Sequence, residues 1–253
     1  MVNKVKQKLK NGEVSFGSWI SLRCTDATEL LSNLGFDWLL LDCEHTPINV
    51  EGAQELLQAM NGTDCVPMMR VPWNDLVWIK KALDIGIWGL LIPQVNNREE
   101  AMKAVSATKY PPQGTRGVGP RRAALYGLKR EEYFARANDD VLVMVQIEHI
   151  DGVKNLREIC TTKGVDVIFV GPNDLAASQG LIGQPNHPQN LKLIDEIIAV
   201  CKELGVPLGT ISSGPEEAMK LAKQGFQFIS IGSDIAFMQS AARNALAKVK
   251  QAT

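Results

Sequence analysis

The chain lacks three things that would each point to a class of protein: paired cysteines, a membrane-length apolar run and a surplus of one charge. Its five cysteines, Cys24, Cys43, Cys65, Cys160 and Cys201, are odd in number and widely scattered, and no C-x-x-C occurs among them. That argues against a zinc site and a disulfide framework and fits a reduced, cytoplasmic protein. No apolar stretch approaches the length that spans a bilayer. A formal net charge of −1 leaves no global field to favour nucleic acid or a membrane surface. The first ten residues are basic but lead into no apolar core or cleavage site, so a signal peptide is not expected. Low-complexity segments, short repeats and a compositional break are missing too, so residues 1–253 are read as one domain.

What is there is alternation. Short apolar runs begin near Val14, Trp38, Val66, Trp88, Val141, Val165, Pro207 and Phe226, and helix-like segments separate most of them. Helices are expected from Asp26, over Val50–Met60 and Asp75–Leu83, from Arg98 to Ala107, over Pro215–Lys223 and from Ile235 to Lys250. Alternation with apolar strands predicts a parallel sheet. Eight strand–helix units in a chain of 253 residues predict an α/β fold of the closed (β/α)8 TIM-barrel type. An open doubly wound sheet would carry a glycine-rich turn after its first strand, and Ser21-Leu-Arg-Cys-Thr25 is not one. Two long loops, Lys109–Arg122 and Gln179–Pro188, are of the kind that serves function or an interface.

The run Val141-Leu-Val-Met-Val-Gln-Ile-Glu-His149 starts as a strand buried on both faces would and ends in Gln146, Glu148 and His149. Gln146 and Glu148 are two apart and share a side of the strand. The next strand delivers Asn173 and Asp174 at its end. Catalytic groups of such a barrel gather at the C-terminal strand ends, so Glu148 and Asp174 are expected on one rim. Two carboxylates with no cysteine nearby suit a hard divalent cation, Mg2+ or Mn2+, with Co2+ as a further option. The plainer reading is two strand-end acids facing water.

Other strand ends supply Trp19, Ser21 and Arg23; Asp42, Glu44 and His45; Arg70; and Ser212 and Ser213. Arg70 closes a Met-Met run, where a cation needs an anion. That anion is either Asp42 or Glu44, or a substrate carboxylate or oxyanion gripped by paired hydrogen bonds. His45 suits a general base or a structural cap. Trp19 suits a hydrophobic wall or core packing. His149 points away from Glu148, His187 lies in a loop, and Asp234 is read as the cap of the last helix. No predicted strand carries a lysine. A Schiff-base aldolase on this architecture needs one, so a metal is left as the electron sink.

The motifs Asp42-Cys-Glu-His45, Arg70-Val-Pro, Tyr110-Pro-Pro-Gln-Gly-Thr-Arg-Gly-Val-Gly, Gln146-Ile-Glu148 and Val170-Gly-Pro-Asn-Asp174-Leu, in this order, resemble the HpcH/HpaI aldolases over nearly the whole chain. The resemblance implies a metal-dependent, pyruvate-forming aldolase on a (β/α)8 barrel, which cleaves a 4-hydroxy-2-keto acid reversibly to pyruvate and an aldehyde. It implies metal ligation by Glu148 and Asp174. The pyruvate carboxylate would be held by Gln146 and the backbone around Asn173 and Asp174. Arg70 would stabilise the enolate, His45 would be the base, and Asp84 would raise the basicity of that histidine. It also implies a homo-oligomer, a hexamer built as a trimer of dimers that exchange the last helix. The chain departs from the family pattern at Cys43, at Asn173, which crowds or adds a donor beside the carboxylate site, and at Ser212-Ser213, which bear on aldehyde preference. Two other readings share the residues: an acyl-CoA lyase of the citrate lyase beta type, and a non-catalytic keto-acid-binding barrel.

Overall fold

A computed structural model describes residues 3–251. The eight apolar runs form eight parallel strands that close into a barrel in chain order. The strands are β1 (Ser15–Ile20), β2 (Trp38–Asp42), β3 (Val66–Arg70), β4 (Gly89–Ile92), β5 (Leu142–Ile147), β6 (Val167–Val170), β7 (Leu208–Ile211) and β8 (Phe226–Ser233). The helices are α1 (Lys4–Lys10), α2 (Thr25–Ser32), α3 (Val50–Ala59), α4 (Leu76–Asp84), α5 (Arg98–Thr108), α6 (Arg130–Asp140), α7 (Ile150–Lys154), α8 (Leu156–Cys160), α9 (Pro172–Ala177), α10 (Pro188–Leu204), α11 (Pro215–Gln224) and α12 (Asp234–Gln251). Among the described residues no helix is long and apolar enough to cross a membrane.

Strand alternation sorts the core into two layers. Trp38, Leu40, Met68, Leu91, Met144, Phe169 and Phe228 pack together inside the barrel. Leu39, Leu41, Met69, Leu90, Val143, Val145 and Ile168 pack outward, with the buried faces of the helices. Both sets are buried, which is why the strands read as unbroken apolar runs. The interior is tight. Trp38 stacks on Phe228 with ring centroids 3.9 Å apart, and a Cβ at position 17 would lie 2.0 Å from the Trp38 ring. Only glycine fits there. Helix starts follow local chemistry: the side chains of Asn49, Asp75 and Asn97 accept N–H groups from the first turns of α3, α4 and α5.

Three features depart from the sequence reading. First, the basic N-terminal stretch forms α1, which stoppers the rim where the strands begin. Val5 and Leu9 join the interior layer, Asn3 donates to the carbonyls of Trp88 and Asp140, and Lys6 donates to Val141 O and pairs with Asp166. Second, β2 ends at Asp42 rather than running on to His45. The Asp42 carboxylate accepts the N–H of Glu44 and that of His45, and this turns the chain. Third, the segment before β5 includes helix α6, and the Lys109–Arg122 loop lies on the strand-start rim. Arg122 there donates to Ile85 O, Leu57 O and Asn61 Oδ1, fastening the loop to the ends of α3 and α4.

Candidate active site

The opposite rim, where the strands end, gathers the acids. Glu148 follows β5 directly and is buried. Its Oε1 accepts the backbone N–H of Gln94 at 2.8 Å, and its Oε2 accepts from the Gln146 side-chain amide. Gly171, at the end of β6, lets the two strand ends approach: a Cβ there would lie 3.0 Å from Glu148 Cβ and 3.1 Å from Gln146 Nε2. Burial pushes the Glu148 carboxyl up to about 7, and the neighbouring charges of Glu44 and Asp174 add to this, against the hydrogen bonds from Gln94 and Gln146. Asp174 sits exposed in the first turn of α9, three residues past the Gly171 cap.

Beside this group, Arg70 closes β3. Its Nε and Nη2 bind the two carboxylate oxygens of Asp42, at 2.9 and 2.7 Å, and its guanidinium lies 4.4 Å from the Trp19 ring centroid. The salt bridge to Asp42 and the aromatic wall are therefore one device. Nη1 is left with no protein hydrogen bond among the described residues. Glu44 Oε2 lies 3.1 Å from Arg70 Nε, whose hydrogen is directed to Asp42, and 3.8 Å from His45 Nε2. Burial raises the Glu44 carboxyl to about 7; Arg70 lowers it, while Asp42 and Asp174 raise it. The His45 ring is 62% exposed and free to meet a ligand.

One rim thus unites Gln146, Glu148, Asp174, Arg70 and His45, and it adds Asp42, Glu44 and Gln94 to the cluster. Of the two acids weighed as the anion for Arg70, Asp42 takes its hydrogen bonds, while Glu44 lies beside them. Gln94 enters through its backbone, which side-chain identity does not announce. Asn173 is exposed beside Asp174. Ser212 Oγ donates to Ser230 O and Ser213 Oγ binds Glu217, so both hydroxyls are taken. His149 caps α7 and His187 caps α10, as befits residues outside the site. Asp234 is the first residue of α12 rather than its cap: Ser233 Oγ accepts the N–H of Ala236, while the Asp234 carboxylate accepts the N–H groups of Ser21, Leu22 and Ile235, bolting the ends of β1 and β8 together.

Asp84 is not brought to His45 within one chain. It ends α4 at the strand-start rim, where Arg116 binds it at 2.8 Å and also donates to Tyr133. Arg116 is 1% exposed. These groups are separated from the acidic rim by the length of the barrel.

The acidic rim fits a hard cation. Oxygen donors dominate it, the carboxyls of Glu44 and Glu148 are held up by burial first and by neighbouring acids second, and Gln146 Oε1 is buried without a partner. Among the described residues no three acidic, histidine or cysteine side chains are close enough to encircle an ion. An ion here would take its remaining ligands from substrate and water, the usual habit of Mg2+.

Fold and rim together define a (β/α)8 enzyme with paired strand-end carboxylates. A family model described as HpcH/HpaI aldolase/citrate lyase matches residues 15–241. The 5-keto-4-deoxy-D-glucarate aldolase of Citrobacter koseri is 42% identical over 240 residues, covering 94% of this chain and 93% of that one. The 2-dehydro-3,6-dideoxy-6-sulfogluconate aldolase of Pseudomonas putida is 41% identical over 243 residues, covering 96% and 95%. The crystal structure of a HpcH/HpaI aldolase/citrate lyase family protein from Burkholderia cenocepacia J2315 shares 35% identity with a TM-score of 0.95, over 98% of this chain and 100% of that one. The chain belongs to the HpcH/HpaI aldolase/citrate lyase family. It is an aldolase, a carbon–carbon lyase that yields pyruvate and an aldehyde.

Proposed function

We propose that the acidic rim cleaves a 4-hydroxy-2-keto acid derived from a sugar acid, with Glu148 and Asp174 holding a divalent cation, Mg2+ or Mn2+. The supporting observation is the buried Glu148 carboxylate, gripped by two donors and close enough to Glu44 and Asp174 for their charges to act on it, on the rim where Asp42 fixes the guanidinium of Arg70. When bound, the cation draws electron density from the keto acid and favours the enolate. Gln146, with one amide hydrogen committed to Glu148, offers the other to the substrate carboxylate together with the backbone at Asn173 and Asp174. His45 takes the proton from the C4 hydroxyl, a step worth roughly 10²–10⁴-fold in rate. As the C3–C4 bond breaks, Arg70 Nη1 meets the charge growing on the enolate oxygen. Asp42 and Trp19 keep that guanidinium from reorienting, so the stabilisation is preorganised.

Similarity to aldolases named for glucarate and sulfogluconate derivatives supports an acidic, hydroxylated aldehyde product. Exposed Asn173 at the mouth would contact its hydroxyls. We read residues 1–253 as one barrel domain and the protein as cytoplasmic, in keeping with five free cysteines. We also infer a hexamer, a trimer of dimers. Asp84 can act on His45 only from a second subunit, since one chain places them at opposite rims.

Exchange of pyruvate methyl protons in D2O, followed by NMR, tests the chemistry without the aldehyde being known. Exchange should require added Mn2+ or Mg2+, stop with a chelator and vanish in Glu148→Gln. Full exchange in chelated protein or in that variant would refute the assignment.

A further inference from the structure

We propose that the backbone amide of Gln94 is a positioning group for Glu148, aimed by a left-handed backbone conformation; this rests on Glu148 being a metal ligand. Gln94 follows β4 with φ +55. Among the described residues only Leu125 and Tyr126 share a positive φ without being glycine, and both lie in the loop on the other rim. An L-residue with a long side chain adopts this conformation at a penalty of about 1 kcal/mol. Such a residue persists only where the surroundings over-determine it. They do so here. Pro93 precedes it, Asn155 Nδ2 donates to Asn96 O, and the Glu100 carboxylate accepts the Asn96 N–H at 2.6 Å. The barrel register sets Ile92 beside Val145, so the turn after β4 overhangs the end of β5. The result is an N–H pointing at Glu148 Oε1 at 2.8 Å.

With Gln146 on the other oxygen, both ends of the carboxylate are fixed. A free carboxylate would rotate, and misplacement of a ligand by a fraction of an ångström weakens an ion's grip. The orienting donor is the backbone, so the side chain at position 94 matters only through the φ it tolerates.

Three variants separate the causes. Gln94→Gly keeps the amide and tolerates φ +55. Gln94→Ala removes the polar side chain and tolerates αL about as poorly as Gln. Gln94→Val is β-branched and disfavours αL strongly. Mn2+ binding to metal-free protein, read by electron paramagnetic resonance, should match wild type within about twofold for Gly and Ala. It should weaken roughly tenfold or more for Val. In turnover at saturating Mn2+, the Val variant should recover most of kcat, with the defect left in the Mn2+ concentration required. Wild-type Mn2+ affinity in Gln94→Val would overturn the proposal. So would a tenfold loss in Gln94→Gly, a variant whose folding is not in question. Glu148→Gln separates this from the underlying assignment: if that variant binds Mn2+ as wild type does, both readings fall. If it has lost binding while Gln94→Val has not, only the role of Gln94 falls.

Discussion

A carboxyl in a dry pocket beside two other acids resists ionising, and Glu148 is so placed. Its ordinary value of 4.5 is raised to about 7. A carboxyl raised on folding favours the folded state while protonated; that contribution is full below about 4.5 and lost as pH rises through 7. Above pH 7 the metal-free barrel therefore carries a penalty on the order of 2 kcal/mol. The expected outcome is a metal-free melting temperature that falls between pH 5.5 and 8. Glu148→Gln should lessen this slope, leaving the part due to Glu44, which is also raised to about 7, and should raise the pH 8 midpoint by several degrees, because the unpartnered Gln146 Oε1 can turn to accept the new amide. Calorimetry across pH checks it; an unchanged slope would show that Glu148 stays ionised. Gly171 poses a sharper steric question. A methyl group there meets Glu148 Cβ at 3.0 Å and Glu148 Oε2 at 3.2 Å, while its φ of −99 suits alanine. Gly171→Ala should keep stability within about 1 kcal/mol yet reduce metal-supported turnover roughly tenfold or more. Steady-state kinetics with a parallel urea melt separates the two effects.

At the scale of elements, the sequence carried the strands well because their burial on both faces leaves an unbroken apolar signature. Their polar last residues, Arg70 and Gln146 to Glu148, stood out against that background for the same reason. Helix α1 was harder to see. It has seven residues, four of them lysine, and its fit rests on Val5 and Leu9 alone reaching the barrel interior. Only the i, i+4 spacing of those two residues hinted at a helix face. The Lys109–Arg122 loop was legible as a long insertion, but its rim depends on topology: it follows a helix rather than a strand, so it lies where strands begin. Arg116 and Arg122 accordingly bind partners at that rim, away from their own chain's strand-end site. The α1 stopper makes a separable prediction. Leu9→Ala should destabilise by about 2–4 kcal/mol, since Leu9 is 4% exposed. It should leave kcat unchanged, because the chemistry sits at the other end of the barrel. Chemical denaturation with activity measured in the folded baseline tests this; a large loss of kcat at full folding would contradict it.

Helix α12 has 18 residues, about 27 Å of helix. Asp234 is its one buried residue, while Ile235, Met238, Leu246 and Val249 are 43–64% exposed. Such a row of exposed apolar side chains is what the proposed assembly would cover. Under the same proposal a neighbour would supply Asp84, which Arg116 holds at the rim opposite His45 within one chain. If assembly sets the strand-start rim of one barrel near the strand-end rim of another, His45 and Asp84 belong to different chains at each site. Two impaired variants, His45→Ala and Asp84→Asn, should then rescue one another when co-expressed with different tags and purified as mixed oligomers. Random mixing leaves roughly a quarter of sites with both groups intact, so activity should rise to about that fraction of wild type. Mixtures no more active than the average of the two parents would place the pair within one chain, or remove Asp84 from the chemistry. Met238→Glu with Leu246→Glu supplies the matching control. Light scattering should show a smaller particle, circular dichroism an intact barrel, and the rescue should disappear with the assembly.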